Sequence, residues 1–290
     1  MPEAIAATAT PTRATLIAPS PSLAACVRAY VGRSTLGADL QPLQRLNYYP
    51  ATPLCGLSWY SHGECYLLPT GDDGAAPQLL PRMSFFGPQS QPTVSRNPGP
   101  AEGFMLMLMP DALHALTGVD VGALVDRSLP LHQVLDADWC AMAEAVLQAD
   151  DDAARVRLIE AFIAPRWQAA RQLGAVPVRS YQDWAQGLAV RALASGVGQS
   201  LRQAKRRIKA WTGQTLRQLQ GRSRAEAVFF QAREAGAAGA VDWADLAAGS
   251  GYADQSHFCR EARRVTGMSP EVLRRRMQED ESFWIYRIWG

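Results

Sequence analysis

The sequence predicts an α+β protein in which a β-rich region precedes an all-helical one. Three observations lead to this prediction. Short apolar runs separated by Pro-, Gly- and Asp-rich turns follow one another between about residues 40 and 110. From Leu131 onward, apolar residues recur at helical spacing. Basic residues are concentrated late in the chain. With 290 residues, 48% of them hydrophobic and 19% charged, the chain can form two folded domains.

The β-rich region is predicted from five short extended runs. They are "RLNYYPA", "CGLSWYSHGECYLL", "RMSFFG", "PTVSR" and "GFMLMLMP". Runs of this length with frequent turns favour an antiparallel sheet or a small barrel. Upstream, the apolar spacing between Leu23 and Val31 predicts a short amphipathic helix. The first 20 residues lack the pattern of a signal peptide and are predicted to be a flexible leader.

Charge divides the chain more sharply than its net value of +2 suggests. Residues 179–278 carry 17 Lys and Arg against 8 Asp and Glu, whereas the remainder carries 12 against 19. A basic C-terminal third predicts a part that meets polyanions. No apolar run is long enough for a membrane span. Five scattered cysteines favour reduced thiols and therefore a cytoplasmic location.

The segment "GYADQSHFCREARRVTGMSP", residues 251–270, predicts a capped helix with two different faces. Asp254 is a good N-cap residue. At 100° per residue, an apolar stripe lies opposite a polar and basic face. The stripe is Phe258, Ala262 and Val265, and the opposite face is Ser256, Arg260 and Arg263. An ordinary half-buried surface helix is one interpretation. The other is the recognition helix of a helix-turn-helix, because "WADLAAGSG" supplies a preceding helix and a glycine turn.

The same order occurs earlier in the chain. The stretch "YQDWAQGLAVRALASG" predicts a helix, "VGQS" a turn and "LRQAKRRIKAWTG" a second helix capped by Ser200. In this second helix Ile208 lies on the apolar side. Both units end in Thr-Gly, and their corresponding positions Leu201 and Gln255 are 54 residues apart, which indicates an internal repeat. The stretch "RSRAEAVFFQARE" predicts a long connecting helix between the units.

Residues 179–278 resemble the double helix-turn-helix domain of the AraC/XylS transcription regulators. The second unit carries the signature of that family: Gly-Tyr, then Asp-Gln-Ser-His-Phe, a basic residue, and Thr-Gly-x-Ser-Pro in register. The first unit departs from it, with Ile208 where Phe is common and a denser basic run. The resemblance implies two recognition helices, held by a linker helix, that enter successive major grooves on one face of the duplex.

Carried over position by position, the resemblance implies the DNA-contacting residues. The base readers are Arg202 and Arg206 in the first unit, and Gln255, Ser256, Cys259, Arg260 and Arg263 in the second. The phosphate contacts are Gln203, Lys205, Arg207 and Lys209. His257 is expected to be structural. The arginines at 274–276 are expected to face solvent or phosphate.

The resemblance also implies a domain layout with an N-terminal sensing or dimerisation domain, a cupin-like β-barrel in many such regulators. The layout is a flexible leader at 1–20, a β-rich sensing or dimerisation domain at 21–130, a helical connector at 131–175, the DNA-binding domain at 176–278 and an apolar tail at 279–290. The aromatic tail is expected to dock on the protein body or at a dimer contact. Clustered aromatic residues of the β region could line an effector pocket or simply pack. They are Tyr48, Tyr49, Trp59, Tyr60 and Tyr66.

The sequence predicts no enzyme, cofactor or metal site. His62, Glu64 and Cys65 form the only cluster of potential metal ligands, and polar residues at a strand turn are the preferred interpretation. The expected partners are double-stranded DNA, with a small-molecule effector at the N-terminal domain and a homodimer as further candidates, and no membrane. The predicted function is a sequence-specific transcription regulator, activator or repressor. Two alternatives stay open: a DNA-associated enzyme or repair regulator, and an interaction protein that has lost DNA binding.

Overall fold

The structure, a computed structural model, describes residues 11–71, 74–170, 181–194, 201–236, 249, 252 and 254–289. Three sequence predictions lie outside these ranges. They are the domain boundary at 174–180, the turn "VGQS" with Ser200 as a cap, and the helix at the start of the second unit, of which only residue 249 is described.

Ten strands form two antiparallel sheets in the N-terminal region. They are β1 (Arg13–Ile17), β2 (Val27–Ser34), β3 (Leu46–Tyr49), β4 (Cys55–His62), β5 (Tyr66–Leu67), β6 (Gln78–Leu79), β7 (Met83–Phe86), β8 (Thr93–Arg96), β9 (Glu102–Leu108) and β10 (Ser128–Pro130). The first sheet has the order β1-β2-β9-β4-β7-β10 and the second β3-β8-β5-β6. Among the described strands neither sheet closes on itself, so the mixed fold is confirmed and a closed barrel is not shown.

Strand β2 corrects the prediction of an amphipathic helix after Leu23. Only a single 3-10 turn, Pro21–Leu23, precedes it. The strand is flanked by β1 and β9, with Tyr30 opposite Leu106, and most of its residues are buried. A strand covered on both faces has a nearly continuous apolar run, which helical spacing can imitate over a few residues. Its partner β1 likewise places residues 13–17 in the sheet rather than in a flexible leader.

Nine α-helices are described. They are α1 (Pro110–Thr117), α2 (Ala137–Leu147), α3 (Asp152–Ala170), α4 (Tyr181–Ala194), α5 (Leu201–Thr212), α6 (Leu216–Gly236), α7 (Gln255–Thr266), α8 (Pro270–Glu279) and α9 (Trp284–Ile288). None of those described is both long and apolar enough to cross a membrane.

Helices α2 and α3 belong to the core of the N-terminal region. Trp139 and Ile159 are buried in the same apolar cluster as the residues of the first sheet. The indole Nε1 of Trp59, on β4, donates a hydrogen bond of 2.9 Å to the carbonyl of Ala143. The segment predicted as a helical connector is therefore packed against the sheet over the part that the structure describes.

The first helical unit docks on the N-terminal region. Trp184 of α4 is fully buried, and its Nε1 donates to Asp111 on α1 over 2.7 Å. Gly213, just after α5, has a φ of +69°, and a Cβ at that position would collide with the side chain of Val125. The close approach and the positive φ both require glycine here.

Helix α7, the predicted second recognition helix, docks together with helix α6 on a different edge of the β-rich region. The N–H of Ala51 donates to the carbonyl of Val265, on α7, over 2.7 Å. The buried Arg222 of α6 donates to the carbonyls of Gln89 (2.9 Å) and Ser90 (3.2 Å). Both ends of the helical region are thus fixed to the β-rich region by buried or directional contacts.

The C-terminal tail folds back onto the N-terminal region. Docking on the protein body was one of the two positions expected for it. The Phe283 ring stacks on Tyr48 at a centroid distance of 4.6 Å. The Trp284 Nε1 donates to Asn47 over 2.8 Å. Glu281 accepts from Arg33. Because hydrogen bonds and the interaction with Arg33 outweigh the effect of burial, the pKa of the Glu281 carboxyl is lowered.

Alanine at Gly213 is expected to destabilise the protein more than alanine at Gly267. Both residues have a positive φ, +69° and +77°, so each substitution carries the cost of about 1–2 kcal/mol for left-handed backbone. At Gly267 the nearest atom to the new Cβ is the Pro92 Cγ at 3.7 Å, an ordinary contact. Only Gly213→Ala adds a collision with Val125. Urea unfolding of both variants measures the difference, and equal losses would contradict the docking of the first unit.

Candidate functional site

Helix α5 ends in a turn that its own threonine stabilises. The Thr212 Oγ1 donates to the carbonyl of Ile208 over 2.6 Å and accepts from the Gln214 N–H at 3.2 Å. Gly213 follows with a left-handed backbone. Thr212 is fully buried, so this turn fixes where α5 ends and where the linker helix α6 begins.

Helix α7 ends in the same way. The Thr266 Oγ1 donates to the carbonyl of Ala262 over 2.8 Å and accepts from the Met268 N–H at 3.2 Å. Gly267 is the left-handed C-cap. Helices α5 and α7 both have 12 residues, and their corresponding residues are 54 positions apart. The repeat predicted from the sequence therefore extends to the hydrogen bonds at the two helix ends.

The start of α7 is capped and anchored. Asp254 accepts from the His257 N–H over 2.6 Å. Phe258 and Ala262 are fully buried and pack with Tyr252 and with Val228 of the linker helix. Burial is the main cause that raises the pKa of Tyr252 to about 12, so this hydroxyl remains neutral. The apolar stripe of α7 therefore attaches the recognition helix to α6.

The opposite face of α7 is open to solvent. Gln255, Ser256, Arg260 and Arg263 are exposed, and Cys259 is half-buried. All five are the residues that the sequence predicted as base readers. Because Phe258 and Ala262 hold the other face, these side chains are presented together on one side of a helix.

Helix α5 presents a similar face. Arg202, Gln203, Lys205 and Arg206 are exposed, whereas Ala204 and Ile208 are buried. Among the phosphate contacts predicted beside them, Lys209 is exposed. Arg207 is half-buried and donates to the carbonyl of Ala192 on α4 over 3.4 Å, so it also ties the two helices of the first unit together.

A cavity of about 220 Å³, called the junction cavity below, lies where the β-rich region meets the helical region. Its N-terminal walls include Tyr49 and Tyr60, and its C-terminal walls include Val265 of α7 together with Tyr286 and Trp289 of the tail. The cavity thus touches the β-rich region, a recognition helix and the tail at once.

The predicted aromatic cluster is divided between the cavity and the packing around it. Tyr49 and Tyr60 line the cavity. Trp59 is buried in the core, and Tyr48 stacks on Phe283. The Tyr66 hydroxyl donates to Glu64 on the surface. Packing is therefore confirmed for Trp59 and Tyr48, whereas an effector pocket lined by Tyr49 and Tyr60 stays a prediction.

An ion pair and a tryptophan, from three segments of the chain, meet at the cavity. The Arg28 Nη2 of β2 lies 3.7 Å from the Glu226 Oε1 of α6. The Trp289 Nε1 donates to the same oxygen over 2.9 Å, and the Arg28 guanidinium lies 5.2 Å from the centre of the Trp289 ring. The sequence did not identify this cluster, because no local pattern links residues so far apart in the chain.

The three candidate metal ligands of the β4–β5 turn do not act together. Cys65 is buried, and burial raises the pKa of its thiol. His62 and Glu64 are exposed, and Glu64 accepts the hydrogen bond from Tyr66. Across the described ranges, no three His, Cys, Asp or Glu side chains are placed to hold a metal ion.

These features define a helix-turn-helix protein that binds DNA. Two helices of equal length have buried apolar faces, identical ends and exposed faces of polar and basic residues. The helices of the first unit, α4 and α5, are both described. In the second unit the structure describes the recognition helix and a single residue of the helix before it.

Comparison with known proteins agrees with this class. Residues 193–276 match a family model described as a helix-turn-helix domain, of the AraC type. The chain is accordingly a DNA-binding regulator with an AraC-type helix-turn-helix domain. No match was found among curated proteins.

Solved structures that match this chain include several of ToxT from Vibrio cholerae. One is 11% identical and covers 79% of this chain and 93% of its own, with a TM-score of 0.34. An apo lysine-to-alanine variant is 10% identical, with 84% and 96% covered and a TM-score of 0.38. A third, bound to (E)-4-(8-methylnaphthalen-1-yl)but-3-enoic acid, is 11% identical, with 79% and 94% covered and a TM-score of 0.34.

Proposed function

We propose that this protein is a sequence-specific, cytoplasmic transcription regulator whose helices α5 and α7 enter successive major grooves. The observation that supports this best is the matched pair of exposed faces, held by matched buried faces and matched Thr-Gly ends. In this proposal the base readers are Arg202, Arg206, Gln255, Ser256, Cys259, Arg260 and Arg263. Gln203 and Lys205 hold phosphates.

The basic charge of residues 179–278 supplies the part of the affinity that does not depend on DNA sequence. Each neutralised phosphate releases condensed counterions, so this part weakens steeply as salt rises. The side chains on α5 and α7 then select among sequences by contacts to base edges. A regulator needs both contributions, because the first brings the protein to DNA and the second positions it on its target.

The β-rich region acts in this proposal as the sensing domain. A ligand in the junction cavity contacts the β-rich region and the C-terminal end of α7 through Val265. Because the Val265 carbonyl also accepts from Ala51, a ligand there can change how α7 is held relative to α5. Homodimer formation through the same N-terminal region is a second route to regulation. The cupin-like character of this region belongs to the proposal as well.

Selection of duplexes from a random DNA pool with the purified full chain tests the proposed function. We expect enrichment of a motif with two contact blocks about one helical turn, roughly 10 base pairs, apart. A salt titration on the winning duplex should give an affinity that falls linearly with the logarithm of salt concentration. The proposal would be refuted if no motif were enriched and the affinity for DNA depended neither on DNA sequence nor on salt concentration.

A further inference from the structure

We propose that the junction cavity takes an uncharged, largely apolar small molecule, and that the C-terminal tail forms the wall that selects it. This inference rests on the proposed function, because it assigns the ligand class of the sensing site. The occupant follows from the state of the charged groups at the cavity and from the residues that surround it.

The first charged group at the cavity is already neutralised within the protein. Glu226 lies 3.7 Å from Arg28 and also accepts the Trp289 indole hydrogen bond. Both side chains of this ion pair are about three-quarters buried. A carboxylate ligand would place a second negative charge beside Glu226, with one largely buried guanidinium to compensate both, which is costly. A neutral ligand leaves the pair intact.

The second cation is engaged by the backbone. Arg222 is only 5% exposed, and its terminal nitrogens donate to the carbonyls of Gln89 and Ser90. These bonds fix the loop that follows β7 to the linker helix. An anionic ligand that captured this guanidinium would leave two loop carbonyls to be satisfied elsewhere.

The polar groups of the tyrosines in the N-terminal wall also have protein partners. Ser95 interacts with the Tyr49 hydroxyl, and Ser58 and Cys65 interact with the Tyr60 hydroxyl. The remaining wall includes aliphatic and thioether side chains such as those of Met105 and Met107. Flexible methionines adapt to the shape of an apolar ligand. The N-terminal wall therefore offers mainly dispersion contacts and desolvation to a ligand.

The tail closes the cavity from the C-terminal side. Ile285, Tyr286 and Trp289 line it, and all three lie beyond the matched helix-turn-helix domain at 193–276. At about 220 Å³ the cavity exceeds the apolar cavity of about 150 Å³ that is known to hold one benzene molecule. A ligand longer than a single ring fits this volume, and its size limit is set by tail side chains.

A matched pair of probes, 1-decanol and decanoate, tests the ligand class on the purified full chain by calorimetry. We expect decanol to bind at least about ten-fold more tightly than decanoate, because only decanoate competes with a buried ion pair. Glu226→Gln removes the carboxylate partner of Arg28. In that variant the preference should move towards decanoate by about ten-fold. Glu144→Gln, an exposed change on α2, is the control and should leave the preference as it is.

A second pair of variants tests the tail wall. Tyr286→Ala should weaken decanol binding about ten-fold, because it removes a ring that lines the cavity. Tyr66→Ala removes the same ring from a position outside the cavity and should not weaken it. Thermal unfolding of each variant identifies any that fails to fold.

Several results would overturn this inference. Decanoate binding as tightly as decanol, no binding of either probe, or a preference unchanged in Glu226→Gln would each do so for the ligand class. Equal changes in decanol affinity for Tyr286→Ala and Tyr66→Ala would overturn the claim that the tail forms a wall of the cavity. None of these results bears on the enrichment of a DNA motif, so the two proposals fail separately.

Discussion

Alanine in place of Arg260 is expected to cost about 1–3 kcal/mol of binding free energy on the selected duplex. That loss corresponds to an affinity about 5- to 150-fold lower. Arg260 is exposed in the middle of the outer face of α7, two residues after the buried Phe258 that anchors the helix. An arginine so placed can pair with both acceptor atoms of a guanine edge, and alanine removes both bonds.

The matched control for this experiment is Arg157→Ala. Arg157 is an exposed arginine on α3, so the variant loses the same charge far from the proposed interface. Its affinity should change by less than about two-fold, as expected for a distant, screened charge. Arg260→Ala should also relax the preference at one base position, measured by repeating the selection. Equal affinities for the two variants would remove Arg260 from the base readers.

Alanine in place of Trp284 is expected to lower the free energy of unfolding by about 3–5 kcal/mol, the range for removing a buried aromatic side chain. Trp284 is 2% exposed and belongs to the main core cluster. It meets the Tyr49 ring edge-on at 6.2 Å, and the Arg33 guanidinium lies 5.0 Å from its centre. The variant therefore leaves a cavity beneath the tail and removes the tail's main anchor. Urea unfolding measures the loss.

Trp284→Phe separates the packing of this residue from its hydrogen bond. Phenylalanine retains an aromatic ring but cannot donate to the Asn47 Oδ1, which would then be buried without its 2.8 Å partner. We expect a loss of about 1–3 kcal/mol, the cost of leaving one buried polar atom unsatisfied. If both variants unfold at the urea concentration of the parent protein, the tail does not dock as described.

The candidate DNA interface could be predicted from the sequence because its determinants are local. The cap at Asp254 and the buried positions Phe258 and Ala262 all lie within one helix, where 3.6 residues per turn fix which side chains share a face. The Thr-Gly repeat identifies the ends of α5 and α7 in the same way. In the structure the predicted base readers are exposed, apart from the half-buried Cys259. Their contacts with DNA stay a prediction.

The prediction failed where a residue's neighbours come from distant parts of the chain. The spacing from Leu23 to Val31 suits a helix, but β9 pairs with this segment and covers it as a central strand. The helical segment after Leu131 was predicted as a connector because nothing within it shows that the sheet buries Trp139 and Ile159.

The sequence by itself determined the class of this protein: a basic, helical C-terminal part with a helix-turn-helix domain after an acidic, β-rich part. Short-range periodicity and capping carry that information, since each depends on residues within about one or two turns. Only the tertiary structure decided how the parts are joined. Arg28, Glu226 and Trp289 meet at one cavity although they lie on a strand, a linker helix and the tail. Such contacts depend on long-range packing, which no local pattern encodes.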